Sequence, residues 1–295
     1  MPFEFDWVDA FSAKPFGGNG CAVVYGGDAM QDDLCMSIVR ETGLVECTFL
    51  GPSAVADIKV RYFLANAEIP FAGHPTIATV ASLADRGLVR GGRITLETGA
   101  GPVEVTISDE DSGAPVITMT QVRPQFGSWV DPELVAAVGG LDEQDILGTP
   151  RMVSTGLPFC VTILRTQEAL SRVRLNVEAL DMFRKIACDG FESRVMEPFW
   201  VTLSGATDAG DTFSRLLMPP PLPPEDPFTG SATGAMASYL WAENLLKTPD
   251  FVAEQGHWLG RPGQAVVEVL GPRDDISGVK VSGQGYVLMR GYLNL

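Results

Sequence analysis

Glu68-Ile69-Pro70-Phe71-Ala72-Gly73-His74-Pro75-Thr76-Ile77-Ala78-Thr79-Val80-Ala81-Ser82-Leu83 is written a second time in this chain, as Glu225-Asp226-Pro227-Phe228-Thr229-Gly230-Ser231-Ala232-Thr233-Gly234-Ala235-Met236-Ala237-Ser238-Tyr239-Leu240. Laid on one another without gaps, the two stretches agree at seven of sixteen positions, among them the Pro, the Phe and the first Gly. Each copy reads as a Pro-Phe-x-Gly turn followed by a run that is small and apolar on every side. Such a run predicts a helix buried all round, because it has no polar face to give to water. The first turn of a helix leaves amides without intrahelical partners, and the aligned peptide dipoles add partial positive charge there. With Gly73 and Gly230 letting a ligand come close to the backbone, the repeat predicts two anion-binding helix ends facing one cleft.

Strand and helix patterns flank both copies. Before the first copy, strands are expected at 5–11 and 23–25 around a Gly17-Gly18-Asn19-Gly20 turn, a helix over 28–40 closed by Gly43, and strands at 46–50 and 58–63. The first buried helix is expected over 74–86, with Gly87 as its end signal, and strands follow at 93–97, 103–108 and 116–120. Pro124, Gly127 and Ser128 break the pattern within 121–129, which sets the lobe boundary there. The theme then repeats, with helices at 132–138 and 176–187 and strands at 151–155, 161–165, 199–204 and 212–218. Six prolines between Pro219 and Pro227 predict a stiff, extended lead into the second buried helix. Strands at 266–270 and 286–292 close the chain. Strands around a central apolar helix, written twice, is the α+β architecture this pattern supports.

Composition narrows the function. The 295 residues are 45% hydrophobic, enough for one large or two medium cores, and no apolar run is long enough for a membrane span. The acidic start, Met1-Pro2-Phe3-Glu4-Phe5-Asp6, lacks a basic leader region, so a cytoplasmic protein is expected. A net charge of −16 opposes nucleic acid and anionic membranes as partners, although the plain reading of that charge is solubility. Cys21, Cys35, Cys47, Cys160 and Cys188 are odd in number and widely spaced, which argues against a disulfide framework or a zinc site. With only His74 and His257 available besides, no metal is expected. Dinucleotide and P-loop glycine patterns are absent, so no nucleotide cofactor is expected either.

Four polar residues stand out within apolar surroundings. Glu46 lies inside Leu44-Val45-Glu46-Cys47-Thr48-Phe49-Leu50, where a dry cleft would make it a better proton acceptor near neutral pH, while strand alternation could equally turn it to solvent. Cys47, its neighbour, must face the other way. His74, at the first turn of a buried helix, is expected to stay neutral; the plain alternative is a capping or packing histidine. Asp226 precedes Pro227 and so sits in extended backbone, where it could cap the second helix and nothing more. Asn19 fits a left-handed turn residue as well as a binding one. His257, between Gly256 and Trp258, reads as structural or exposed.

With these letters in place the chain resembles the PhzF family of phenazine-biosynthesis-like isomerases, within the fold group of diaminopimelate epimerase and proline racemase. The resemblance rests on Asp9-Ala10-Phe11-Ser12-Ala13-Lys14-Pro15-Phe16-Gly17-Gly18-Asn19, on Glu41-Thr42-Gly43-Leu44-Val45-Glu46-Cys47-Thr48-Phe49, and on the Phe71–Thr76 and Glu225–Ala232 segments of the repeat. It implies two pseudo-symmetric lobes, each a curved sheet or barrel wrapped around one helix: 1–122, with 283–295 returning to it, and 123–282. It also implies a cofactor-independent homodimer acting on a small carboxylic acid. Glu46 would be the general acid/base, His74 and Asp226 its catalytic partners, and Asn19, Gly73, Gly230 and Ser231 the substrate-binding residues. The racemases of this fold group place a cysteine before each repeat glycine; here those positions hold Ala72 and Thr229. A single carboxylate without a thiol pair favours isomerisation over the alternatives, a racemase or epimerase and a non-catalytic acid-binding homologue.

Overall fold

A computed structural model describes residues 2–108, 114–187, 191 and 195–295; Cys188 lies outside them. Its first half runs β1 (Phe3–Ala10), β2 (Asn19–Tyr25), α1 (Asp32–Thr42), β3 (Glu46–Gly51), β4 (Ile58–Phe63), β5 (Glu68–Ile69), α2 (Gly73–Asp85), β6 (Gly92–Thr98), β7 (Gly101–Ser108) and β8 (Val116–Gln121). The second half runs β9 (Gln125–Trp129), α3 (Pro132–Gly139), β10 (Arg151–Ser154), β11 (Pro158–Ile163), α4 (Gln167–Arg172), α5 (Val177–Ile186), β12 (Phe199–Thr202) and β13 (Thr212–Leu217). It continues through β14 (Glu225–Asp226), α6 (Gly230–Ala242), β15 (Asp250–Gln255), β16 (Gly263–Leu270), β17 (Gly278–Gly283) and β18 (Gly285–Leu293).

The pairing of strands repeats with the sequence. From β1 to β8 the neighbours are β1·β2 antiparallel, β2·β3 parallel, β3·β4 antiparallel, β4·β6 parallel, then β6·β7 and β7·β8 antiparallel. From β10 to β17 the same alternation returns: β10·β11 antiparallel, β11·β12 parallel, β12·β13 antiparallel, β13·β15 parallel, then β15·β16 and β16·β17 antiparallel. Short β5 and β14 sit on β4 and β13 in the same way. Between the halves, β8 pairs antiparallel with β17, and from there the chain crosses over in both directions. Past β8 it enters β9, which pairs with β10; past β17 it enters β18, which pairs with β1 along its whole length.

Each half wraps its sheet around one helix. Helix α2 packs against β1, β2, β3, β8 and β18, and α6 against β10, β11, β16 and β17. Eleven of the thirteen residues of α2 are buried, Gly73 through Leu83, as the small apolar run requires. Removing side chains such as Ile77, Val80 and Leu83 from water stabilises the fold by roughly 1.5–3 kcal/mol each. One continuous core fills both halves, with a side cluster under α1 and another beneath α3 to α5. Among the described residues no helix is long and apolar enough to cross a membrane.

Several expectations need correction. Asn19 is not a turn residue but opens β2, paired with Ala10. The proline-rich lead is not extended: Leu222 N–H bonds Pro219 O and Met218 N–H bonds Pro224 O, so the chain folds back before β14. Residues 125–129, read as a break, form β9, because the crossover from β8 supplies β10 with a partner. Helix α4 and strands β15 and β17 were also not foreseen; in β15 the buried Glu254 and Gln255 break the apolar pattern. The turn after β1 is strained, with Phe11 in the left-handed region at φ 61°. That backbone sends the Phe11 ring across into the second half, where it stacks on Phe228 with centroids 4.2 Å apart. A methyl group at Gly283 would fall on the same ring. Gly283→Ala is therefore expected to destabilise the protein by about 1–3 kcal/mol through overpacking, read from urea unfolding. An unchanged midpoint would show that Phe11 is free to shift.

Candidate active site

The two buried helices meet end to end. A Cβ placed on Gly73 would lie 3.3 Å from the Ser231 amide nitrogen and 3.5 Å from the Gly230 carbonyl carbon, so a side chain there would press on the facing backbone. The residues before them, Ala72 and Thr229, make no side-chain cap, and neither helix has an acidic residue in its first turn. Both positive ends therefore lack a compensating carboxylate of their own helix.

Beside this junction lie the sequence-derived candidates Glu46, His74, Asn19 and Asp226. Glu46 opens β3, opposite Cys21 of β2. Alternation then settles the orientation: Thr48, two residues on, reaches Thr79 of α2 at 3.0 Å, while Cys47 joins Cys35 and Val39 under α1. Burial pushes the Cys47 thiol up to about 12, so it supplies no base near neutral pH. The Glu46 side chain is 14% exposed, and its Oε2 stands 3.5 Å from His74 Nδ1. Asn19 Nδ2 is 3.1 Å from the same Nδ1, 2.5 Å from Asp226 Oδ1 and 3.0 Å from the Phe228 carbonyl. Asp226 does not cap α6. Its other oxygen accepts from Thr229 Oγ1 at 2.6 Å, and Gln255 donates to its carbonyl at 2.7 Å while accepting from Thr229 N–H at 3.0 Å.

The electrostatics follow from this packing. Burial, reinforced by the nearby Asp226 carboxyl, raises Glu46 to about 8. Burial likewise raises Asp226 to about 7, against the pull of hydrogen bonds from Thr229 and Asn19. Burial lowers His74 to about 3, with a partial counter-pull from the Gly20 backbone carbonyl. A neutral imidazole that accepts the Asn19 amide at Nδ1 carries its proton on Nε2. Glu46 Oε2 and His74 Nε2 are buried with no hydrogen-bond partner among the described residues. Unpartnered buried polar atoms are costly, and where they converge they mark a place built for a ligand.

Residues 8–291 match the family described as phenazine biosynthesis-like protein. The chain belongs to that family. It is 32% identical over 297 residues to the uncharacterized isomerase YddE of Salmonella typhimurium, covering 95% of each chain. To the trans-2,3-dihydro-3-hydroxyanthranilate isomerase of Pseudomonas chlororaphis it is 29% identical over 296 residues, covering 98% of each. Its fold superposes on a solved family member from Bacillus anthracis with a TM-score of 0.87 over the whole of both chains, at 24% identity.

Gly73, Gly230 and Ser231 meet at the helix junction, on which Asn19, His74 and Asp226 converge with Glu46. Sequence reasoning missed four polar residues that hold this group. Thr229 and Gln255 fix Asp226; Gln121 Nε2 donates to the Gly230 carbonyl at 2.8 Å, and Thr155 Oγ1 donates to Gln121 Oε1 at 2.5 Å. All four sit at strand or helix ends where a polar residue is ordinary, so no local pattern announces them. His257 lies apart, edge-on to Phe213.

The raised carboxyls fix a sign for the pH dependence of stability. Between 4.5 and about 8 the folded state keeps a Glu46 proton that the unfolded chain has lost, so stability falls as pH rises. His74 works the other way, but only below its ordinary 6.5. From pH 6.5 to 8 the carboxyl effect therefore stands alone, and wild type should lose up to about 1.4 kcal/mol per pH unit that Glu46→Gln keeps. Urea titrations across that window test it; parallel slopes for the two proteins would mean that Glu46 ionises as freely as in water.

Proposed function

We propose that this protein, an isomerase of the PhzF type, moves a proton between two carbons of a small carboxylic acid, using Glu46 as acid and base on one face of the substrate. The observation that carries the reading is the unpartnered Glu46 carboxyl, held near neutrality, beside two uncapped helix N-termini. The substrate carboxylate would be bound by amides at Gly73, Gly230 and Ser231, where the helix dipoles favour negative charge. Asp226, oriented by Asn19, Thr229 and Gln255, would hold a hydroxyl or amino group, and His74 Nε2–H would donate to developing negative charge.

In the step itself, Glu46 as carboxylate takes a proton from carbon, the electrons of the broken C–H bond shift along the adjacent double bond, and the carboxylic acid returns the proton further along. Atoms and charge balance without an electron acceptor, so the chemistry calls for no cofactor. A value near 8 suits a group that must give and take the same proton at neutral pH. Racemisation needs a second base opposite the first, but Ala72 has none to offer and the Thr229 hydroxyl is engaged by Asp226. The four described cysteines are free thiols, which fits a reducing cytoplasmic setting. A homodimer, as the family resemblance implies, completes the reading.

Two outcomes are expected. With trans-2,3-dihydro-3-hydroxyanthranilate and other small unsaturated acids as test substrates in heavy water, the wild type should move label between carbons, and Glu46→Gln should be slower by roughly 10²–10⁴. Turnover of the variant at the wild-type rate would remove Glu46 from the reaction. Iodoacetamide should leave turnover intact, because Cys21, Cys35, Cys47 and Cys160 are all buried; inactivation that ligand prevents would bring a thiol back into the mechanism.

A further inference from the structure

The internal repeat makes two equivalent spaces around the helix junction, and the chain fills only one of them. Register fixes the equivalence. Val8 pairs with Cys21 in the first half as Val153 pairs with Phe159 in the second, all four facing the core around the buried helices, so Phe11 and Gly156 are counterparts. In the crossover pair, Met119 sits opposite Val281, which makes Gln121 and Gly283 counterparts. Phe11 packs on Gly283, whereas Gly156 has no side chain to set against Gln121, which is bonded instead by Thr155. Beside Phe228 of the second Pro-Phe-x-Gly turn, the space is occupied by the Phe11 ring. Beside Phe71 of the first turn, Thr155 and Gly156 bring no such ring, and a cavity of about 380 Å³ remains.

That cavity opens against the helix junction, since Ala72 and Ser231 belong to its wall. The rest of the wall is chiefly apolar, with Phe71, Val103, Met119 and Leu157; Thr118 and Thr120 add hydroxyls. No lysine, arginine or histidine lines it, and its one charged residue is Glu104. A second carboxylate placed there would meet an acid and no cation, whereas an apolar body would exchange water for carbon.

We propose that this cavity receives the non-reacting body of the substrate and selects acids that carry one carboxylate and an apolar body, with Leu157 setting the depth. The proposal rests on the reading of the helix junction as a carboxylate site and deepens it. Phe11 has the complementary part: by closing the equivalent space it leaves a bound acid one orientation across the pseudo-two-fold axis.

Calorimetric titration with straight-chain monocarboxylates from acetate to hexanoate, and with the dicarboxylate adipate, tests this without turnover. Affinity should rise at least several-fold from acetate to hexanoate, and adipate should bind more than tenfold more weakly than hexanoate. Leu157→Trp should erase the gain with chain length while leaving acetate unchanged, and Leu157→Ala should move the optimum to longer chains. Opposite shifts from the two replacements cannot come from a general loss of folding. Equal affinities along the series, or identical profiles in both variants, would overturn the proposal while leaving the carboxylate site intact. Amides of the same acids binding as well as the acids would instead sink the carboxylate site itself, and this proposal with it.

Discussion

The approach of two helix N-termini, glycine against glycine, is the constraint on which the rest of this molecule depends. Two positive dipole ends repel, and their free amides are left without caps, so nothing local favours the arrangement. It holds because each helix is the core of its own half, buried on every side by strands that never leave it room to withdraw. The crossover strands then clamp the halves together: β8 and β17 pair with each other while each continues into the opposite half. What results is a fixed, desolvated positive corner within a strongly acidic protein. A negatively charged chain with net charge −16 offers few other places for a small anion.

Much of this was legible because the deciding features are short-range. A stretch of sixteen residues in which Pro-Phe-x-Gly leads into a small apolar run, written twice, carries its own burial and its own turn, so both helices and their kinship could be read from letters. Strands with clean alternation, such as 103–108, were equally plain. The parts that were hidden depend on partners distant in sequence. Strand β9 exists because β10 needs an outer neighbour, and Asn19 leaves the expected turn because the ladder with Ala10 begins one residue earlier than glycine spacing suggested. Asp226 was legible as a candidate and not as half of a coupled pair, because its effect on Glu46 is made only when β3 and β14 are brought together.

Burial, rather than the helix ends, governs the ionisation of the site. A helix N-terminus alone would favour the carboxylate form, yet both Glu46 and Asp226 are raised and His74 is lowered. All three shifts point the same way, toward the uncharged form. Carboxyls pushed toward their neutral form beside a neutral imidazole keep the positive corner more open to an incoming carboxylate than ionised groups would. The ligand's charge, once seated, is then the principal anion there, and desolvation strengthens its hold on the amides.

The scaffold is symmetric and the chemistry is not. Carrying each functional residue across the repeat gives Leu157 for Asn19, Ile69 for Asp226 and Ser231 for His74. The register of β3 with β4 and of β12 with β13 gives Glu197 for Glu46, and that second carboxylate is taken up in an ion pair with Arg184. Asp226 and His74 thus answer to residues that cannot exchange a proton near neutral pH, and the one carboxylate that recurs is held by a guanidinium. A two-base inversion uses such symmetry directly, since it needs a proton donor and a proton acceptor on opposite faces of one carbon. Here the second face is given to Phe71, Ala72 and an apolar cavity, which can hold a substrate but cannot protonate it. On the function proposed above, with one face reactive and the other only shaped, a proton taken by Glu46 would have Glu46 as its source of return, and the outcome open to it would be a change of position on the substrate rather than a change of hand.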